Sequence, residues 1–302
     1  MRHLIIFNGA AQSGAASERF EAIKKAFEGL EHEMHSTSAP KDATNYVNEY
    51  LNKFAKEKVR VYACGGDGTV NEVVNGLVGH DNAELVVVPI GTGNDFAKCY
   101  GGPEKFQIEQ LIKGEAKPVD LTSIYCEGME KPMYSINVIN FGFDAIVGAV
   151  GNIYKEQGKK DPYGKALKVA ILKGRFNKIT VTADGEVINP KGKMLLCTLA
   201  QGQYVGGKFR CAPKSVNDDG LIDLCLLKTM PLFGFLGILN PYTEGQHLDN
   251  PKFAKKLQYR RVKKVQIDAP KDIDICVDGE MIKGNHYQVE ICPGAIKLVI
   301  PQ

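Results

Sequence analysis

Residues 61–77 read VYACGGDGTVNEVVNGL, and this stretch joins two hydrophobic patterns at a run of glycines. Its first four residues are apolar, which is typical of a short buried strand. After the glycines, apolar residues recur at the i, i+3, i+4 and i+7 spacing of one helix face. These residues are Val70, Val73, Val74 and Leu77. The pattern therefore predicts a strand, a glycine turn and a helix, with the glycines at the junction.

A strand–helix junction of this kind favours a bound phosphate. The first N–H groups of a helix have no partner within the helix, and the helix dipole adds partial positive charge there. Glycines let a ligand approach the backbone because they carry no Cβ. Asp67 would repel a bare phosphate, so its presence is explained if Mg²⁺ lies between the two groups. The alternative is a tight turn with an acidic helix cap, and we favour the phosphate site.

A second stretch repeats this order a short distance along the chain. Residues 85–90, LVVVPI, are typical of a buried strand, and GTGNDF follows at 91–96. Glycines again come after the strand, and a carboxylate, Asp95, comes after the glycines. Two such turns fit successive strands of one parallel sheet, whose ligand crevice lies at the carboxyl ends of the strands.

Together the two motifs resemble those of the soluble diacylglycerol kinase catalytic domain. GGDGTVNEVVNGL at 65–77 and PIGTGNDFAK at 89–98 carry the resemblance, which extends over nearly the whole chain. That superfamily includes bacterial diacylglycerol kinases, related bacterial lipid kinases, sphingosine kinases and ceramide kinases. The pair of motifs is specific, whereas GGDG alone is similar to a motif of NAD kinases and 6-phosphofructokinases.

The resemblance implies a kinase that uses ATP and Mg²⁺ to phosphorylate the hydroxyl of diacylglycerol, giving phosphatidic acid. The residues that it implies for ATP binding are Asn8, Gly14, Thr37, Gly65, Gly66, Asp67, Gly68, Thr69, Asn71, Glu72, Gly91, Thr92 and Gly93. Asp67 and Asp95 would organise the catalytic magnesium and the phosphates, and Glu280 would accept the hydroxyl proton. The loop 8–14 matches the family only in part, so a plain strand–helix loop is the alternative there.

The order of elements predicts two domains. Strands and helices alternate up to residue 100, which predicts an α/β domain with a parallel sheet. Beyond it, short strands separated by turn residues predict a β-sandwich. These strands are expected at 134–139, 179–183, 194–200, 221–227, 265–269, 273–277, 287–291 and 295–300. We expect an NAD-kinase-like α/β domain at 1–120 and a lipid-substrate β-sandwich at 121–294, with a last strand at 295–302 returning to the first domain.

Two turns of the second domain contain carboxylates. Residues 217–220, NDDG, precede a strand, and adjacent carboxylates at a glycine turn are good ligands for a hard cation. The resemblance implies a structural Mg²⁺ held there by Asp219 and the carbonyls of Val216 and Leu221; the alternative is an Asx-type turn without metal. Residues 278–280, DGE, are similar to a strand end of the family and also typical of an ordinary hairpin turn.

Composition limits the partners of the chain. A net charge of +3 over 302 residues does not by itself indicate nucleic-acid binding. The eight cysteines form no C-x-x-C pair, which favours reduced thiols in a cytoplasm. The apolar stretch 230–239 contains two glycines and is soon followed by Pro241, so we expect it not to span a bilayer, and the amino terminus does not resemble a signal peptide.

Membrane contact is therefore expected to be peripheral, at the inner membrane surface of a cytoplasmic protein. Basic residues concentrate at 154–178 and 251–264. Such segments attract anionic headgroups by roughly 1 kcal/mol per residue near the surface. Solvated helix faces are the alternative for either segment. Related bacterial enzymes are commonly dimers, so the resemblance also implies a homodimer.

Three other functions fit parts of the pattern. A kinase of sphingosine, ceramide or monoacylglycerol would keep the chemistry and change the acceptor. An NAD kinase shares GGDG but lacks the second motif, and a non-catalytic nucleotide-binding regulator could use the same scaffold. The chain has neither a G-x-x-x-x-G-K-[ST] motif nor G-x-G-x-x-G at its first strand–helix turn, which argues against P-loop ATPases and NAD oxidoreductases.

Overall fold

The computed structural model describes residues 1–8, 15–91, 93–174 and 176–301. The chain divides into two compact units, one formed by Met1–Leu121 with Pro293–Gln302 and the other by Thr122–Cys292. Each unit buries its own set of apolar side chains. None of the helices in the described ranges has the length and apolar character needed to cross a membrane.

The first unit alternates strands and helices. Its elements are β1 (Arg2–Asn8), α1 (Ala15–Ala26), β2 (His32–Thr37), α2 (Asp42–Lys53), β3 (Val59–Gly65), α3 (Asp67–Leu77), β4 (Ala83–Pro89), α4 (Asp95–Lys98), a 3-10 turn (Pro103–Lys105) and α5 (Ile108–Lys113). The strand β5 (Ala116–Cys126) then leads into the second unit.

In the sheet of the first unit, parallel strands run in the order β2-β1-β3-β4, and the end of β16 adds to β4. All seven residues of β3 are buried, as expected for a parallel strand that is covered on both faces. The register places Asn8 opposite Thr37 and Gly65 opposite Pro89, so the carboxyl ends of the four strands share one edge. The predicted α/β domain with a parallel sheet is confirmed.

As far as the described residues show, the second unit is mostly strands with three helices inserted. Its elements are β6 (Met133–Ser135), β7 (Val138–Gly142), α6 (Phe143–Glu156), α7 (Pro162–Lys173), β8 (Asn177–Lys178), β9 (Thr180–Ala183), β10 (Glu186–Val187), β11 (Lys193–Met194), β12 (Leu196–Ala200), β13 (Ile222–Leu227), α8 (Leu232–Thr243), β14 (Leu257–Val262), β15 (Lys264–Val277) and β16 (Glu280–Val299). The last residues of β16 belong to the first unit, where Leu298 pairs with Leu85 of β4 in parallel.

Alternate residues of the central strands enter two different cores. Along β12, Cys197 and Leu199 belong to a cluster built from strands, whereas Leu196 and Ala200 belong to a cluster shared with α6, α7 and α8. This alternation follows from the period of two residues in a strand. The predicted β-sandwich is confirmed, and a layer of helices covers one of its faces.

The structure differs from the expected elements in several respects. The strands expected at 287–291 and 295–300 are the single strand β16, those expected at 134–139 and 194–200 are each divided into two strands, and β14 was not expected. The strands expected at 265–269 and 273–277 form the single strand β15, whose pairing with β16 shifts register between Asp268 and Ile273. Pro270 is a turn signal in the sequence, but a proline is tolerated in a strand at such an irregularity. The helix α8 was not expected, because its apolar residues occur on all sides and leave no helical period to detect.

Candidate functional site

The two glycine turns predicted from the sequence lie against each other at the carboxyl edge of the parallel sheet. The carbonyl oxygen of Gly65 accepts hydrogen bonds from the backbone nitrogens of Ile90 at 3.1 Å and Gly91 at 3.2 Å. A Cβ on Gly91 would lie only 2.5 Å from the Cα of Gly66. Glycine is therefore required at Gly91 by backbone packing, and the two turns form one surface.

Asp67 lies between these two turns. It is the first residue of the eleven-residue helix α3 and is half-buried. Its Oδ1 accepts a hydrogen bond from the backbone nitrogen of Phe96 at 3.1 Å, and a Cβ on Gly93 would lie 3.0 Å from its Oδ2. The carboxylate thus sits at the positive end of a helix dipole and is held by the neighbouring turn.

Asp95 and Asn94 complete the second turn. Asp95 is buried at the start of α4, and the ammonium group of Lys98 lies 2.7 Å from its Oδ1. Asn94 has a left-handed backbone, with φ 51°, and its side-chain nitrogen donates to the carbonyl of Gly91 at 2.7 Å. The Oδ1 of Asn94 is buried and has no hydrogen-bond partner within the described residues. Sequence reasoning passed over Asn94, although its place between Gly93 and Asp95 was a signal.

Three other predicted residues of the first motif, Thr69, Asn71 and Glu72, are buried or half-buried. Thr69 is buried against the turn, since a Cβ on Gly65 would lie 2.2 Å from its Oγ1. Asn71 is 2% exposed within α3. Glu72 accepts a hydrogen bond from the backbone nitrogen of Ala43 at 3.1 Å, so its carboxylate supports the start of α2. A nucleotide-binding role for these three residues stays a prediction.

The first two strands bring further predicted residues to the same edge. Asn8 and Thr37 end β1 and β2 and are paired in register. Gly14 and Thr92 lie outside the described residues. Arg19 of α1 also reaches this edge, where its guanidinium donates to the carbonyl of Pro89 at 3.2 Å. Sequence reasoning missed Arg19, because nothing in its local pattern distinguishes it from other exposed helix residues.

Glu280 lies at a hairpin turn of the second unit. Asp278 and Gly279 both have positive φ angles, 49° and 100°, and Val277 pairs with Glu280 across them. Two positive φ angles mark the type I′ hairpin turn that the Asp-Gly pair favours. The turn leaves Glu280 exposed at the first position of β16.

Asp278 fastens the segment that leads into β7. Its Oδ1 accepts hydrogen bonds from the hydroxyl of Ser135 at 2.6 Å and from the backbone nitrogens of Asn137 at 3.1 Å and Val138 at 2.8 Å. Its Oδ2 accepts from the backbone nitrogen of Ile136 at 2.9 Å. Asp278 is 7% exposed, so this is a buried carboxylate satisfied by four donors. The sequence pattern predicted a hairpin turn at Asp278 and did not predict these hydrogen bonds.

The turn 217–220 engages Asp219 in two ways. Its Oδ1 accepts a hydrogen bond from the backbone nitrogen of Leu221 at 3.0 Å, which is the geometry of an Asx turn, and its Oδ2 contacts the guanidinium of Arg261. Behind the turn, Asp223 accepts a hydrogen bond from Tyr259, and burial raises the pKa of this carboxyl above its usual range.

An all-oxygen donor set suits magnesium, so the residues of this turn fit the predicted ion on chemical grounds. The predicted donors are Asp219 and the carbonyls of Val216 and Leu221. The side chain of Arg261 is 42% exposed, so it can move aside for a cation. Within the described residues no group of three or more His, Cys, Asp or Glu side chains is placed to hold a metal.

Comparison with known proteins gives the family. The model of the diacylglycerol kinase catalytic domain matches residues 2–124, and the model of the YegS C-terminal NAD kinase beta sandwich-like domain matches residues 137–300. The chain belongs to the diacylglycerol kinase and YegS family of lipid kinases. The family expected from the two glycine motifs is therefore confirmed, and so is the class of enzyme, a lipid kinase.

Relatives of this family match the chain over almost its full length. A Bacillus subtilis (strain 168) protein named diacylglycerol kinase is 28% identical over 287 residues, which cover 92% of this chain and 89% of that protein. A Pseudomonas aeruginosa (strain UCBPP-PA14) protein named "Probable lipid kinase YegS-like" is 29% identical and covers 99% of this chain and 94% of its own. A crystal structure of a diacylglycerol kinase from Bacillus anthracis strain Sterne has the same fold, with a TM-score of 0.69 at 22% identity, covering 99% of this chain and 96% of its own.

Proposed function

We propose that this lipid kinase transfers the γ-phosphate of ATP to the free hydroxyl of diacylglycerol, giving phosphatidic acid. The observation that carries the proposal is Asp67, held between two glycine turns at the carboxyl edge of a parallel sheet. The Bacillus subtilis relative named diacylglycerol kinase supports this choice of acceptor. The relatives named YegS-like state no lipid, so a kinase of sphingosine, ceramide or monoacylglycerol is the second candidate.

In this proposal the first unit holds the nucleotide. Backbone N–H groups at the start of α3 and in the glycine turns bind the phosphates. Asp67 would organise the catalytic Mg²⁺, which neutralises charge on the phosphates when it is bound, and Asp95 would support the geometry of the metal or the phosphates. Arg19 adds positive charge at the same edge, where Lys98 pairs with Asp95. The first unit thus positions the phosphorus atom and stabilises the negative charge that develops on its oxygens.

The lipid hydroxyl needs a proton acceptor. Its oxygen forms a bond to the γ-phosphorus, the bond from that phosphorus to the bridging oxygen breaks, and ADP leaves. We assign the proton to the carboxylate of Glu280, which is exposed at the first position of β16. The Asp278 hydrogen bonds fix the turn that carries it.

A transfer assay with γ-labelled ATP tests the proposal. Diacylglycerol, monoacylglycerol, ceramide and sphingosine are offered in mixed micelles with Mg²⁺, and NAD is offered in water. We expect label in phosphatidic acid, lost in Asp67→Asn and Glu280→Gln and retained in two matched controls, Asp81→Asn and Glu290→Gln. Label in another lipid would change the acceptor and keep the chemistry. Label in NADP, or none with ATP still bound, would favour an NAD kinase or a regulator.

The structural magnesium at Asp219 has its own test. We propose that Mg²⁺ and the Arg261 guanidinium compete for this carboxylate. Arg261→Gln removes one competitor, so added Mg²⁺ should raise the unfolding temperature of this variant more than that of the unaltered protein. If Mg²⁺ raises the unfolding temperatures of Arg261→Gln and of the unaltered protein equally, and Asp219→Asn responds to Mg²⁺ in the same way, the result would favour the Asx turn without metal.

In this proposal, the location of the enzyme in the cell follows from its lipid acceptor. A diacylglycerol lies in a membrane, so the enzyme would work as a cytoplasmic protein in peripheral contact with an anionic leaflet. A homodimer is proposed on the family resemblance alone. Flotation with vesicles and light scattering of the purified protein test these two statements separately.

A further inference from the structure

The helix α8 is apolar on both of its sides. Phe235 and Ile238 face the core and are 3% and 2% exposed. On the opposite side, Phe233 is 87% exposed and Leu236 is 50% exposed. A residue pair three positions apart forms one stripe on a helix, so large apolar side chains project outward together. Single exposed apolar residues are common, whereas a contiguous group points to an interaction surface.

The helix α7 presents a related face. Ala170 faces the same core cluster as Phe235 of α8, so the two helices cover one side of the sheet. The outward stripe of α7 consists of Lys165, Lys168 and Leu172, at spacings of three and four residues. Leu172 is 79% exposed. Phe176, which follows the helix, is 67% exposed.

The charge around these residues is strongly positive. The segment 155–173 contains six lysines and two carboxylates. In the part of the chain that the structure describes, none of the lysines at 155, 159, 160, 165 and 168 forms an ion pair. The other basic segment differs, because Arg260 pairs with Glu186 and Lys264 pairs with Glu290. The lysines of the segment 155–168 therefore carry charge that no carboxylate of the described residues neutralises, and this charge is available to an anionic partner.

We propose that Leu172, Phe176, Phe233 and Leu236 form an insertion face that enters the interfacial region of an anionic bilayer. Amphipathic surfaces bury their apolar side chains about 5–10 Å into that region, while lysines reach the headgroups. A second copy of the chain fits less well, because a two-fold interface sets the same patch, and hence its lysines, against itself. The choice of partner rests on the proposed lipid acceptor.

Tryptophan fluorescence tests the insertion face directly, since the chain contains no tryptophan. Phe233→Trp places one fluorophore in the face, and Val187→Trp, at a 45% exposed strand position of the same unit, is the matched control. With phosphatidylglycerol vesicles we expect a blue shift of Phe233→Trp and quenching by brominated acyl chains, and neither for Val187→Trp. Vesicles of phosphatidylcholine alone should give a weaker response. No shift with either vesicle, or equal shifts at both positions, would overturn the proposal.

A second variant measures the contribution of the face. Phe233→Ser with Leu236→Ser should lower vesicle affinity roughly tenfold or more, because each side chain loses its apolar burial. Its transfer to a short-chain, water-soluble diacylglycerol should equal that of the unaltered protein. Unchanged vesicle affinity would overturn the insertion face, as would a blue shift of Phe233→Trp that rises with protein concentration without vesicles. If neither the unaltered protein nor the double variant transfers phosphate to this lipid, while Phe233→Trp still shows insertion, the result would overturn the proposed acceptor and leave the insertion face standing.

Discussion

Two aspartate–glycine turns of this protein look alike in sequence and differ in use. Asp67 follows β3 and begins a helix, whereas Asp278 follows β15 and begins a hairpin. The carboxylate of Asp67 is half-buried and accepts a hydrogen bond from Phe96 of the neighbouring turn. The carboxylate of Asp278 is buried and accepts four hydrogen bonds from the segment 135–138.

The difference depends on the element that follows each turn. A helix leaves its first N–H groups without internal partners, so a turn before α3 offers donors to a ligand. A hairpin pairs its backbone groups at once, and Asp278 is left to satisfy the N–H groups of another segment. We therefore expect substitutions at Asp278 to act on stability and substitutions at Asp67 to act on phosphate transfer.

Asp278→Ala should have the largest effect on stability. Three backbone N–H groups and one hydroxyl lose a buried acceptor, and each such loss costs about 1–3 kcal/mol, so we expect about 4 kcal/mol in the free energy of unfolding. Urea unfolding monitors the loss. Asp184→Ala is the matched control, because Asp184 also has a positive φ and accepts from the backbone nitrogens of Lys263 and Lys264 at an exposed turn. Equal losses in the two variants would contradict the role of burial.

Asp67→Asn should separate function from stability. The amide oxygen can still accept from Phe96, so we expect the free energy of unfolding to change by less than about 1 kcal/mol. Loss of the charge should lower kcat of phosphate transfer roughly 10²–10³-fold. The labelled-ATP assay and a melting curve measure the two quantities. A stable variant with nearly full activity would remove Asp67 from the proposed site.

Gly91→Ala tests whether the two glycine turns must touch. The added Cβ meets the backbone of Gly66, which cannot rotate away, so we expect a loss of about 1–3 kcal/mol in the free energy of unfolding. Gly237→Ala in α8 is the control, since its Cβ meets nothing within 4 Å and alanine favours a helix by about 0.5–1 kcal/mol. Similar melting temperatures for both variants would mean that the turns can separate.

Two buried histidines, one in each unit, should each lower stability in mild acid, with the smallest of these effects. Burial lowers the pKa of His3, whose Nδ1 lies 2.9 Å from the Tyr62 hydroxyl, and of His247, whose Nε2 lies 3.2 Å from the Cys211 carbonyl. Each folded-state pKa lies below the ordinary value of 6.5. As the pH falls below about 6.5, these two histidines bind protons in the unfolded chain before they do so in the folded chain, so each of them lowers the free energy of unfolding.

Urea midpoints between pH 7.5 and pH 5.5, values chosen to bracket about 6.5, test this sign. The histidine variants His3→Gln and His247→Gln should each show a smaller decline across this window. A pH dependence in either variant equal to that of the unaltered protein would contradict the assignment. The comparison with the variants is needed because burial raises the pKa of Asp144 to about 6, so this carboxyl binds a proton in the folded chain over the same window and opposes the effect of the histidines.

Local patterns were sufficient for much of this protein. Buried strand runs and the helical spacing after Gly66 predicted the parallel sheet, and the spacing of short strands predicted the sandwich. Patterns failed where long-range pairing overrides local signals. Pro270 predicted a break between two strands, but β15 is continuous there because it pairs with β16 on both sides of the proline. The helix α8 gave no helical period because both of its sides are apolar.

The sequence by itself determined the alternation of strands and helices in the first unit, the two glycine motifs and the lipid kinase family, because these depend on neighbours along the chain. Only the tertiary structure decided that Asn94 has a buried oxygen without a partner in the described residues, that Asp278 holds a distant segment, and that Arg261 reaches Asp219. These facts depend on register and packing between segments far apart in sequence. Spacing along the chain does not encode such contacts, because each is set by where two folded segments meet.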